Sequence, residues 1–116
     1  MLMLYEAAIK FTKRAIIACE NKDIGERGMN IGRAYDIIME LNNTLNHEAG
    51  AEVAKNLEQL YDFILHQYTQ ANIKGDAEIL KSVLKILETL NDGWVKAIEG
   101  LRGQKQFSEK KIGQGA

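Results

Sequence analysis

The 116-residue chain contains no proline, where average usage would give roughly six. A proline inside a helix removes a backbone bond and clashes with the preceding turn, so nothing in this sequence enforces a helix break. A single cysteine excludes a disulfide framework and a cysteine-built zinc site. Charge of either sign is not in excess: 15 Lys and Arg stand against 16 Asp and Glu, which gives no general pull toward nucleic acid. Long apolar runs are missing too. The longest, Met1 to Tyr5 and Ala15 to Cys19, fall far short of the roughly 20 residues that cross a bilayer. The start reaches Glu6 without a basic segment and does not read as a secretory signal. The expectation is one soluble, all-α domain in the cytoplasm, with no membrane insertion and no nucleic-acid partner.

What is present is helical periodicity. In the first segment Leu2, Tyr5, Ile9, Thr12, Ile16 and Cys19 recur at three and four, beside a second row of Leu4, Ala8, Phe11 and Ala15. Two adjacent rows make a face broad enough to meet two neighbours, which favours a bundle over a two-stranded coil. A second segment carries Ile31, Ala34, Ile38, Leu41 and Leu45, widened by Tyr35 and Ile37. A third carries Val53, Leu57, Leu60, Ile64 and Ala71, flanked by Ala54, Tyr61, Leu65 and Tyr68. The fourth runs through Leu80, Val83, Leu87, Leu90, Trp94, Ala97 and Leu101.

Punctuation separates these segments. Asp23 followed by Glu26 resembles a capping box. Asn42-Asn43-Thr44 and Asn46-His47-Glu48 up to Gly50 read as a turn. Gly75 suits the position after a helix and Asp76 the N-cap of the next. The spacing predicts helices over about 2–21, 24–45, 50–73 and 76–101, in an antiparallel up-down four-helix bundle. The glycine-, lysine- and glutamine-rich stretch 103–116 is expected to be a mobile, flexible tail. Gly28 and Gly32 weaken the start of the second helix unless a partner packs closely against them.

Chemistry is sparse. A di-metal centre in a bundle needs inward carboxylates and Glu-x-x-His pairs, and neither His47 nor His66 has a glutamate three residues before it. Cys19 lies on an apolar row and reads as a small buried hydrophobe. No phosphate loop, dinucleotide fingerprint or nucleophile elbow occurs. The sequence therefore predicts no catalytic residue, no metal and no cofactor, hence no enzyme. The remaining signal is apolar breadth: Leu4, Phe11, Ile37, Tyr61, Leu65, Tyr68, Ile86 and Val95 lie off the best seams. They either complete an ordinary core or line grooves that take a partner's helix.

Several stretches together resemble the bacterial flagellin-export chaperone family, FliS. They are Met3-Leu-Tyr-Glu-Ala-Ala-Ile9, Ala34-Tyr-Asp-Ile-Ile-Met-Glu-Leu41, Gly50-Ala-Glu-Val-Ala-Lys-Asn-Leu-Glu-Gln-Leu-Tyr-Asp62, Gln70-Ala-Asn72 before Asp76, and Trp94. The resemblance implies a cytoplasmic bundle that binds the disordered C-terminal segment of flagellin. Binding would prevent premature polymerisation and keep the subunit fit for the flagellar type III export apparatus, a further expected partner. Motif-matching positions nominate Leu4, Tyr5, Tyr61, Leu65 and Tyr68 as client contacts at groove edges, with Asn56 and Asn72 as polar registers. Family members usually carry a leader before the Met-Leu-Tyr motif. Its absence here leads to the expectation of bare groove surface and a homodimer. Gly93 before Trp94 also departs from the family pattern and questions the straightness of the last helix. The alternative reading is a self-associating helical adaptor.

Overall fold

The computed structural model describes the backbone of residues 2–48 and 50–115 and the side chains of residues 3–45 and 50–96. Four helices follow in order: α1 (Leu2–Glu20), α2 (Ile24–Glu48), α3 (Ala51–Lys74) and α4 (Ala77–Gly115). There is no strand among the described residues. Helix α1 packs on α2 and α4, and α3 packs on the same two, so the helices form a ring in which α1 faces α3 across the core.

Direction follows from two polar contacts across that diagonal. The Tyr5 and Tyr61 hydroxyls bond to each other, and Thr12 Oγ1 lies 2.7 Å from Tyr68 Oη. Both pairs are 56 residues apart. A constant separation one heptad further along means that α1 and α3 run the same way. With α2 joining them, the chain is the expected up-down-up-down bundle.

The two turns at one end share a construction. Lys22 and Gly75 both take the left-handed conformation, at φ 58° and 63°. Asp23 N–H then donates to Ala18 O at 2.9 Å, and Asp76 N–H to Ala71 O at 3.2 Å, which satisfies orphan carbonyls at the helix end. Each aspartate next caps the following helix: Asp23 Oδ1 accepts from Glu26 N–H, and Asp76 Oδ1 from Glu78 N–H. Only half of the expected capping box forms at Asp23. Its own N–H is committed to Ala18, so the Glu26 carboxylate turns instead to Asn30 Nδ2 at 3.3 Å.

Two helix ends lie beyond the expected ones: α2 reaches Glu48 and α4 reaches Gly115. Asn42, Asn43 and Thr44 stay inside α2, where Asn42 Nδ2 donates across to Asp62 Oδ1 and Thr44 Oγ1 to Leu41 O. The low helix propensity of asparagine is a few tenths of a kcal/mol, too little to stop a packed helix. Helical backbone also continues past the expected end near residue 101, so 103–115 extend α4. No proline interrupts the segment, and its lysines and glutamines are good helix formers. The side chains of His47, Ala97, Ile98 and Leu101 lie outside the described residues. Finally, α4 runs through Gly93 without a break.

The core contains Tyr5, Ala8, Ala15 and Ile16 from α1 and all five expected α2 positions. Helix α3 adds Tyr61, Ile64, Tyr68 and Ala71, and α4 adds Leu80, Val83 and Leu87. The buried face of α3 is rotated from the expected seam. Val53 is 55% exposed and Leu60 only half-buried, whereas both tyrosines are fully enclosed. Alanines Ala8, Ala15, Ala18 and Ala34 are buried in α1 and α2, the most closely packed pair. The buried side chains of α3 and α4 are mostly larger, Tyr61, Ile64, Tyr68, Leu80, Val83 and Leu87, and interaxial distance follows side-chain size.

Candidate functional site

Helix α3 stands between two grooves. On its α4 side, a cleft of about 450 Å³ is lined by Leu60, Ser82, Lys85, Ile86, Thr89 and Leu90. Its floor is apolar because Leu60, Ile86 and Leu90 are only partly covered by the core they pack against. Ser82, Lys85 and Thr89 are exposed along its rim. Asn56, also exposed, precedes Leu60 by one helical turn and so lies on the same row.

On the α2 side of α3, a shallower groove of about 200 Å³ is bounded by Gly28, Ile31, Gly32, Tyr35, Tyr68, Thr69, Asn72 and Ile73. The two glycines do not serve close helix contact. A Cβ at Gly28 would meet Asn72 Oδ1 at 3.9 Å, and one at Gly32 would meet nothing within 4 Å. Their missing side chains leave the groove open.

The expected contact residues divide sharply. Tyr5, Tyr61 and Tyr68 are fully buried, and of the three only Tyr68 borders one of these two grooves, from its floor. Their hydroxyls explain how phenols sit in a core. Trp94 Nε1–H donates to Tyr5 Oη at 3.2 Å, Tyr5 and Tyr61 bond to each other, and Tyr68 bonds to Thr12. Thr12 in turn donates to or shares with two oxygens, Ala8 O and Tyr68 Oη, both at 2.7 Å. Buried polar atoms paired in this way cost little, whereas unpaired ones are expensive. Burial, and then the bond to Tyr5, push the Tyr61 phenol well above its ordinary pKa. Burial does the same for Tyr68 against the opposing influence of Thr12. Leu4 and Leu65 are half-buried and pack on the core edge.

Asn72 is exposed and has a structural partner. Arg27 Nη2 donates to Asn72 O at 3.0 Å, and Arg27 Nε approaches Asn72 Oδ1 at 3.4 Å. This places a guanidinium on one of the last carbonyls of α3, where a cation suits the helix dipole. Asn91 Oδ1 is buried without a partner, one turn before Trp94 on α4.

Among the described residues nothing in the arrangement resembles a reaction centre. Among the described residues no three His, Cys, Asp or Glu side chains gather as a metal site. His66 is exposed. The Cys19 thiol is raised by burial, with Arg27 opposing, so it is protonated at neutral pH and not primed as a nucleophile. No described helix is long and apolar enough to cross a membrane. Helical spacing assigns Leu60 and Leu90 to the core and leaves Ile86 off the seam. What it could have shown is that Ser82, Ile86 and Thr89 share one helix face, an apolar position between two small polar ones.

Comparison with known proteins sharpens this picture. The family described as "Flagellar protein FliS" matches residues 1–101. A protein of Vibrio cholerae named flagellar secretion chaperone FliS is 39% identical over 92 residues, 79% of this chain and 68% of that protein. Proteins of the same name from Campylobacter jejuni and Bacillus subtilis are 46% identical over 55 residues and 47% over 45. Those stretches cover 43% and 34% of the two relatives and 47% and 39% of this chain. All three are named as chaperones, none as an enzyme.

Proposed function

Because the chain belongs to the FliS family of flagellar proteins, we propose that it is a flagellar export chaperone that holds the disordered C-terminal segment of flagellin astride α3. The observation that carries this reading is the apolar cleft between α3 and α4, floored by Leu60, Ile86 and Leu90. An amphipathic client helix laid there covers leucine and isoleucine surface that the bundle leaves half-exposed, the helix-in-groove mode. The client then crosses the exposed edge of α3 near Phe63 and continues into the groove of Gly28, Gly32 and Ile73.

Of the expected contacts, Asn56, Leu65 and Asn72 remain on this path and Leu4 flanks the core. Tyr5, Tyr61 and Tyr68 act from beneath by fixing the spacing of the helices. A client that folds as it binds can wrap a large surface while its ordering cost lowers affinity enough for release. Sequestered in this way, flagellin cannot polymerise early and stays fit for the type III apparatus. The work takes place in the cytoplasm and uses no nucleotide or metal.

Isothermal titration with a peptide of the C-terminal flagellin segment from the same bacterium tests the assignment. Micromolar or tighter binding is expected, with a negative heat-capacity change and a gain of helix. Ser82→Arg with Thr89→Arg fills the cleft from exposed positions and should weaken binding by about tenfold or more. No binding by fully helical protein rejects the reading. The second reading, self-association, is favoured by the exposure of Val53, Phe63 and Ile73, the last 72% exposed. A concentration-dependent mass in light scattering, with no affinity for flagellin, would establish it instead.

A further inference from the structure

Across the ring of helices from the α3/α4 cleft, Phe11 sits half-buried on α1 and gathers three cations. Lys10 Nζ lies 5.8 Å from the ring centroid, the Arg14 guanidinium 5.9 Å, and the Arg33 guanidinium of α2 5.5 Å. All three are exposed, as is neighbouring Lys13. The ring quadrupole attracts each cation and draws them together, although like charges repel. The local carboxylates do not relieve that repulsion. Glu6 lies one turn before Lys10, Asp36 three residues after Arg33, and Asp23 and Glu26 share a hollow with Arg14, yet the ion pair found among the described residues is Lys81 with Glu78.

From this geometry we infer that the Lys10–Phe11–Arg14–Arg33 face is a second docking surface, which receives a helical protein segment bearing carboxylates one turn apart. Each cation lies within 6 Å of one centroid, so no two are more than about 12 Å apart, close to two helical turns. Glutamates at i, i+4 and i+7 of an incoming helix span that distance. Arg14 and Arg33 each offer a planar fork to a carboxylate, and Lys10 a point charge. Beside them Ile17, 58% exposed, supplies apolar contact at the near side of a hollow that it shares with Arg14, whose far wall carries Asp23 and Glu26 and so confines an acidic segment to the Phe11 side. The patch is compact and the whole chain has net charge −1, which suits a few carboxylates better than a phosphate backbone. Because the patch centres on Phe11 of α1, its occupant and a client astride α3, in the α3/α4 cleft and the groove of Gly28 and Gly32, can be held together.

The test uses the full chain and a fluorescent, alanine-based helical peptide with glutamate at i, i+4 and i+7. The same peptide with glutamine at those positions and a single-stranded oligodeoxynucleotide serve as comparisons. The glutamate peptide is expected to bind and to weaken as salt rises. The pair Arg14→Glu and Arg33→Glu should weaken it by about tenfold or more without changing affinity for the flagellin segment. If that pair disturbs helicity, Lys10→Gln with Arg33→Gln gives the same readout from milder changes. Equal binding of the glutamine peptide, undiminished binding by the charge variants, or tighter binding of the oligonucleotide would each overturn the inference.

Discussion

Two glycines, one inside a helix and one left-handed, respond in opposite directions to the same substitution by alanine. Gly32 lies inside α2 with open space where a Cβ would project. Alanine there removes the entropic penalty of glycine and meets no clash, so Gly32→Ala should stabilise the fold by about 1 kcal/mol. Gly75 differs in both respects. Its φ of 63° costs an L-residue about 1–2 kcal/mol, and a Cβ would stand 2.6 Å from Arg27 Nη1. The guanidinium must then move off Asn72 O, a surface bond worth up to about 1 kcal/mol. Gly75→Ala should therefore destabilise by about 2 kcal/mol. Lys22, held at φ 58°, is the converse case, and Lys22→Gly should gain about 1 kcal/mol. With a urea m-value of about 1–3 kcal/mol/M, the two alanine variants, about 3 kcal/mol apart, should differ in midpoint by about 1–3 M at unchanged m. Urea titration followed by far-ultraviolet circular dichroism measures this directly. A Gly32→Ala midpoint below the parent's, or a Gly75→Ala midpoint equal to it, would refute the reasoning.

Thr12→Val leaves the Tyr68 hydroxyl buried without its partner and should cost about 1–3 kcal/mol, whereas adding Tyr68→Phe removes the orphan and should restore much of the loss; simple additivity in this double-mutant cycle would deny the coupling. Alkaline pH gives a separate test. Folding raises the Tyr61 and Tyr68 pKa values, so their contribution is complete below the unfolded value of about 10 and is lost as pH rises beyond it, by up to about 1.4 kcal/mol per pH unit for each group. Thermal melts from neutral to strongly alkaline pH should show that decline, and the Tyr61→Phe, Tyr68→Phe variant should flatten it.

Most of the helical framework was legible because apolar spacing at three and four is a direct record of which face is buried. Ile31, Ala34, Ile38, Leu41 and Leu45 are all buried as their spacing implies. Helix α3 misled for a physical reason. A tyrosine reads as amphipathic, and whether its hydroxyl finds a partner depends on another helix, here 56 residues away. Without that pairing Tyr61 and Tyr68 read as groove edge, and the seam shifted toward Val53 and Leu60. The glycines of α2 misled in the same way. Their spacing is compatible with close contact or with a gap, and only the distance to the next helix decides. The clefts themselves are properties of helix separation, which no single helix encodes.

The equal offset of the two hydroxyl pairs also fixes an alignment. Apolar rows are nearly interchangeable from one heptad to the next, so they tolerate sliding. Moving α1 against α3 by one heptad would set Thr12 against Tyr61, Tyr5 against Ala54 and Cys19 against Tyr68. Two phenols would then lose the partners that make them tolerable in a dry interior. The core thus works like a key with two teeth, and only one position of the helices turns the lock. A polar pair in that role trades some stability for a single register. For a protein whose clefts lie on both sides of α3, that single register decides which side chains of each neighbouring helix meet an incoming segment.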